Sequence, residues 1–141
     1  MNIADIKGNI HDKRVLTLLY HSQYNPTEEK LNLLASEYEA DNDVYAFSCA
    51  DDGTAIGVII LKRKDNTSFV IKSIAVDPSF RGLGVGSKLI DYAVKYLQCS
   101  EIHAETDDDA IGFYRKFGFD IQPLGEKYPG TARYLCTMKL S

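Results

Sequence analysis

The chain has 141 residues, 45% of them hydrophobic and 26% charged, and sixteen basic against twenty acidic side chains give a formal net charge of −4. That length and composition fit one globular domain over residues 1–141, and they exclude dominant disorder or a disulfide scaffold. Cys49, Cys99 and Cys136 are odd in number and far apart, which predicts reduced, buried thiols in a cytoplasmic protein.

The first third reads as helical. Val15, Leu16, Leu18 and Leu19 predict one helix, stopped at Asn25-Pro26. A second starts there, with Asn25 as cap, Pro26 in the first helical position and Glu28 completing a capping box. Leu31, Leu34, Ala35 and Tyr38 give it an apolar face. The period then changes. Val44 to Cys49, Ala55 to Leu61 and Phe69 to Val76 are β-branched, apolar runs split by Asp51-Asp52-Gly53 and Lys64-Asp65-Asn66, which predicts an antiparallel meander. A glycine-rich turn leads into a helix carrying Leu89, Ile90, Ala93, Val94 and Leu97.

Glu101 to Thr106 alternates as a strand, with Ile102, Ala104 and Thr106 on one face. Ala110, Phe113, Tyr114 and Phe117 have helical spacing, and Gly118 can close that helix in a left-handed conformation. Phe119-Asp120-Ile121 and the alternating Tyr134, Cys136, Met138 and Leu140 supply two closing strands. The order is α+β, a mostly antiparallel mixed sheet flanked by helices, with one βαβ crossover at the glycine turn.

Several functions fall away. Lys62-Arg63-Lys64 is a short basic run that suits a solvated strand end better than nucleic acid. Residues Met1 to Lys7 lack a signal-peptide core, and the longest apolar stretch, Ala55 to Leu61, is too short to cross a bilayer. His11, His21 and His103 have no ligand spacing, so no metal is expected.

The glycine turn carries more. In Arg81-Gly82-Leu83-Gly84-Val85-Gly86, alternating glycines let successive N–H groups converge on one point, and the following helix aims its positive end there. Cβ atoms at Gly84 or Gly86 would intrude where phosphate oxygens should sit. Neither nucleotide signature fits, because Gly86-Ser87-Lys88-Leu89 inverts the P-loop order and Ser87 occupies the third dinucleotide glycine.

The run resembles the Arg/Gln-x-x-Gly-x-Gly/Ala signature of the GCN5-related N-acetyltransferase superfamily, preceded by a similar strand-to-loop approach at Ile74-Ala75-Val76-Asp77-Pro78. Residues Asp107 to Phe119 resemble that family's second motif, which commonly reads Asn-x-x-Ala-x-x-x-Tyr and then Gly-Phe. The resemblance implies a GNAT fold, with a splay after the fourth strand that accepts pantetheine. It implies acetyl-CoA as co-substrate, with its pyrophosphate on the amides of Gly82, Leu83, Gly84, Val85, Gly86 and Ser87 beside Arg81. The pantetheine arm would lie against Ile74, Ala75 and Val76, with Asp107 at the position of the family asparagine.

Two departures stand out. Asp107 replaces an amide, and no carboxylate occupies Phe69-Val70, where the histone-modifying branch keeps its base.

Amide formation from a thioester needs a neutral amine, a stabilised oxyanion and an acid for the thiolate. Tyr114 matches the family tyrosine that protonates the leaving sulfur, and its ordinary pKa of about 10 keeps it protonated. Its apolar helix face also suits core packing. Glu105, on the polar face with Glu101 and His103, can serve as base or attract an ammonium, or be a solvated strand end. Asp107-Asp108-Asp109 suits a helix N-terminus. Tyr128-Pro129-Gly130 reads as a turn, and the resemblance implies that this connection edges the acceptor pocket.

The expected function is N-acetyl transfer from acetyl-CoA to a small cationic amine, by a monomer or homodimer. The alternatives are a non-catalytic acyl-CoA sensor and a protein or peptide N-acetyltransferase.

Overall fold

The computed structural model describes residues 1–20, 26–108, 110–128 and 130–140. In chain order these form β1 (Asn2–Asp5), α1 (Lys13–Tyr20), α2 (Glu28–Ala40), β2 (Val44–Asp51), β3 (Thr54–Arg63) and β4 (Ser68–Val76). There follow α3 (Val85–Leu97), β5 (Glu101–Asp107), α4 (Ile111–Phe117), β6 (Asp120–Tyr128) and β7 (Thr131–Lys139).

The strands make one sheet in the order β1-β2-β3-β4-β5-β7-β6, antiparallel throughout except for β4 against β5. That single parallel pair is the crossover through α3, because a strand that returns in the same direction needs a long connection. The meander forms as expected. Asp52 and Gly53, with φ of 52° and 81°, supply the positive-φ pair that a two-residue hairpin turn requires.

Two apolar cores flank the sheet. Leu89, Ile90 and Ala93 of α3 pack with Phe47, Ile59, Phe69, Ile102, Tyr114 and Cys136 on one face. Val15, Leu18, Leu19, Leu31, Ala35 and Tyr38 of α1 and α2 cover Ala46, Val58 and Ile60 on the other. Each fully buried aliphatic side chain stabilises the fold by about 1.5–3 kcal/mol, so the helical spacing of these residues decides which face each helix presents. All three cysteines are free and buried.

Three local expectations are corrected. The chain opens with a strand: β1 pairs Asn2–Asp5 against Ala50–Phe47, and Lys7 ties its end down by donating to the carbonyls of Asp41 and Val44, each at 2.6 Å. Helix α2 is capped by Thr27, whose hydroxyl accepts the Lys30 N–H at 3.1 Å, so Pro26 lies before the helix and Glu28 is its first residue instead of the third position a capping box needs. Asn25 lies outside the described residues, as does His21. The acidic run does not enter α4, which starts at Ile111 behind Ala110 with no acidic residue in its first turn. Asp107 ends β5, Asp108 accepts the Tyr134 hydroxyl at 2.5 Å, and Asp109 lies outside the described residues.

The basic run is partly consumed within the fold. Lys62 pairs with Asp41 at 2.9 Å, and Arg63 stacks 4.7 Å above the Phe69 ring while donating to the Tyr45 hydroxyl.

Candidate active site

The site starts from a bulge. Ile60 faces Ser73 but Leu61 faces Ile71, which leaves Lys72 as an extra residue in β4. An inserted residue bends its strand and re-aims the side chains that follow. Before it, Phe69 and Ile71 face α3; beyond it, Ser73 bonds Tyr38 and Ala75 joins the α1/α2 core. Pairing of β4 with β5 ends at the same place. It runs from Ser68–Glu101 to Ile71–Ala104 and stops, although β4 continues to Val76 and β5 to Asp107. The two strands part, and a cleft of about 1340 Å³ opens between them.

The glycine turn closes one end. Gly82 and Gly84 have φ of 80° and 79°, a conformation that side-chain-bearing residues rarely adopt. Gly84 is the N-cap of α3 and supplies no side-chain bond, so the first amides of that helix are left to an outside acceptor. Gly84, Val85, Gly86 and Ser87 all line the cleft. The approach to the turn is fixed by Asp77, which accepts the Ser79 N–H at 2.8 Å and pairs with Arg14. The Arg14 guanidinium, which also donates to the Ala55 carbonyl at 2.7 Å, holds the Asp77 carboxyl below its ordinary range.

Tyr114 stands on the wall that α4 provides. It is 4% exposed yet lines the cleft, wedged edge-to-face between Phe113 at 5.3 Å and Phe119 at 5.1 Å. Burial pushes its phenol pKa up, because a phenolate there would lose its hydration. Gly118, with φ of 121°, ends α4 as expected and turns the chain so that Phe119 can make this contact.

A cleft between parting parallel strands, with an uncapped helix start at one end and a buried phenol on its wall, is the arrangement that the two sequence motifs imply. Residues 13–119 match the model of the acetyltransferase (GNAT) family. The chain belongs to that family. Among its relatives, the uncharacterized N-acetyltransferase ycf52 of Porphyra purpurea is 38% identical over 60 residues, which are 40% of this chain and 34% of that one. That match therefore spans about a third of the relative's length. The peptidyl-lysine N-acetyltransferase YjaB of Salmonella typhimurium is 25% identical over 112 residues, 74% of this chain and 73% of that protein. The fold is shared with a GNAT family acetyltransferase from Elizabethkingia anophelis solved with acetyl-CoA bound: TM-score 0.71, 21% identity, over 99% of this chain and 97% of that one.

Within this GNAT frame the cleft gathers Ile74, Ala75, Val76, Arg81, Gly82, Gly84, Val85, Gly86, Ser87, Glu105, Asp107 and Tyr114. Leu83 is not among its lining residues; its side chain is 57% exposed. A Cβ on Gly86 would meet the Phe113 ring at 3.1 Å, so this glycine makes room for a packed aromatic. Among the described residues, apart from its own chain neighbours, none has an atom within 4 Å of a Cβ built on Gly84.

Glu105 alternates with buried Ala104 and Thr106, on the polar face that Glu101 and His103 share. His103 is engaged by Glu101 at 2.9 Å and Thr137 at 3.2 Å, and His11 by Glu39 at 2.8 Å. Among the described residues no cluster of His, Cys, Asp and Glu could hold a metal. Lys72, Phe113 and Arg133 also line the cleft and were not singled out from sequence. Lys72 was hidden because a bulge has no sequence signature, and Arg133 because only the β5–β7 register brings it there.

Proposed function

We propose that the chain transfers an acetyl group from acetyl-CoA to the primary amine of a small acceptor. The single observation that supports this best is the parting of β4 from β5 between the uncapped start of α3 and Tyr114. The pyrophosphate fits the amides of residues 82–87 beside Arg81, where the helix dipole favours an anion. The pantetheine arm fits the edge of β4 from Lys72 to Val76, which has lost its β5 neighbour and keeps backbone groups to offer it.

In the reaction the amine nitrogen attacks the thioester carbonyl carbon, and a backbone N–H near Ile74 faces the oxygen as negative charge develops. The C–S bond then breaks. Tyr114 donates its phenolic proton to the departing sulfur, and the amine loses a proton to Glu105 or to water that Glu105 holds. The carboxylates of Glu105 and Asp107 favour an ammonium acceptor over an anionic one.

The deciding experiment is thiol release from acetyl-CoA across a panel of small amines, amino acids and lysine-containing peptides, with calorimetry of CoA binding alongside. Turnover with small amines supports the proposal. Turnover with peptides alone would favour a peptide acetyltransferase, and tight CoA binding without turnover on any amine would leave a sensor.

A further inference from the structure

We propose that Arg133 is the specificity residue of the acceptor site, and that the acceptor is an amine that also carries a carboxylate. This rests on the acetyl-transfer reading and adds the chemical class of the acceptor to it.

Among the described residues, Nε of Arg133 is the one buried side-chain nitrogen or oxygen without a hydrogen-bond partner. Leaving such a donor unpaired is unfavourable, more so when it is charged, and folded proteins satisfy nearly all of them. The Arg133 side chain is among those lining the cleft, although Nε itself is covered. A carboxylate in the cleft that turns the guanidinium toward it would give that donor a partner.

Position separates Arg133 from the cofactor. The strand order is β4-β5-β7, so Arg133 stands beyond β5, on the side away from the strand edge assigned to pantetheine. Its direct partner across β5 and β7 is Asp107, and Glu105 lies two residues earlier on the same strand. Antiparallel partners share a face, and side chains alternate along a strand. Glu105, Asp107 and Arg133 thus occupy one face of the sheet, opposite to buried Ala104 and Thr106. Asp107 does not take the Nε proton despite being its cross-strand neighbour.

Two carboxylates and one guanidinium with an unused donor match a zwitterion. The ammonium group belongs against Glu105 and Asp107, facing the thioester. The carboxylate belongs against Arg133, whose planar fork accepts no proton and fits two oxygens at once. A plain diamine would leave Nε unsatisfied.

The test uses the full chain with acetyl-CoA and a panel of α-, β- and γ-amino acids, each paired with its own carboxamide. At least one amino acid should exceed its carboxamide in kcat/KM by about tenfold or more, the size of a hydrogen bond to a charged group. Arg133→Met should bring that ratio toward one by raising KM for the carboxylate partner, and Arg133→Lys should keep part of it. An unchanged melting temperature and CoA affinity establish that the variants fold. Calorimetric titration of the same pairs into the CoA-bound protein reads the contrast without turnover. If that contrast persists in binding and no acetyl moves, the acetyl-transfer reading fails while the anion site stands. If carboxamides or diamines equal the amino acids in both readouts, or Arg133→Met preserves the contrast, the proposal is overturned.

Discussion

The ring of Phe113 occupies the space that a side chain on Gly86 would need, 3.1 Å from where its Cβ would lie. This contact joins the glycine turn to the helix that carries Tyr114, so the two halves of the cleft are spaced by a missing methyl group. Phe113 is itself held by the Tyr114 ring at 5.3 Å and the Phe117 ring at 6.4 Å, which limits how far it can yield.

Gly86→Ala should therefore destabilise the protein. A helical alanine gains about 1 kcal/mol over glycine, whereas forced overpacking costs about 1–3 kcal/mol. Phe113→Leu in the same chain should recover most of the loss. Urea denaturation of both single variants and the double variant gives the coupling directly, and additive effects would disprove the contact's role.

Ser87→Asp separates phosphate binding from folding. A carboxylate in the first turn of α3 suits the helix dipole and should hold or slightly raise the melting temperature. The same charge repels a pyrophosphate, so CoA affinity should fall by about tenfold or more at low salt, and less at high salt. Unchanged affinity by calorimetry would move the pyrophosphate elsewhere.

Tyr114→Phe keeps the edge-to-face packing and removes only the hydroxyl. Turnover should fall by about 10²–10⁴-fold, with the melting temperature nearly unchanged. Because burial raises the phenol's pKa, the donor stays protonated as the pH climbs to its ordinary value of 10.0 and beyond. A wild-type kcat profile with an alkaline fall below pH 10, absent in Tyr114→Phe, would contradict this assignment.

Asp77→Asn tests the anchor beneath the glycine turn. Arg14 holds the Asp77 pKa below its ordinary 3.8, so the carboxylate is favoured more in the folded state than in the unfolded one. The pair's stabilisation is then complete well above pH 3.8 and is lost as the pH falls through that value toward the lower folded pKa. The wild-type protein should melt above Asp77→Asn at neutral pH, and the two melting temperatures should converge in acid. A gap that is constant with pH would show that the Asp77 charge, and with it the Arg14 pair, contributes nothing to stability.

Much of this architecture was legible in the residues. Helical and alternating periods place α1 to α4 and β2 to β5, because burial of one face forces those spacings. Arg81 to Gly86 and Ala110 to Phe119 announce the cleft, since backbone that must approach a ligand or turn left-handed tolerates few residue types. Other features rest on partners distant in the chain. Asn2–Asp5 carries no clean alternation, with only Ile3 half-buried, and becomes a strand because β2 offers it an edge and Lys7 secures it. Thr27 displaces Asn25 as the cap because hydrogen-bond geometry, and not rank among capping residues, fixes where a helix begins. The extra residue at Lys72 and the pairing of Arg133 with Asp107 are matters of register. A side-chain period of two makes each register a choice of face, and that choice is made only when the strands meet.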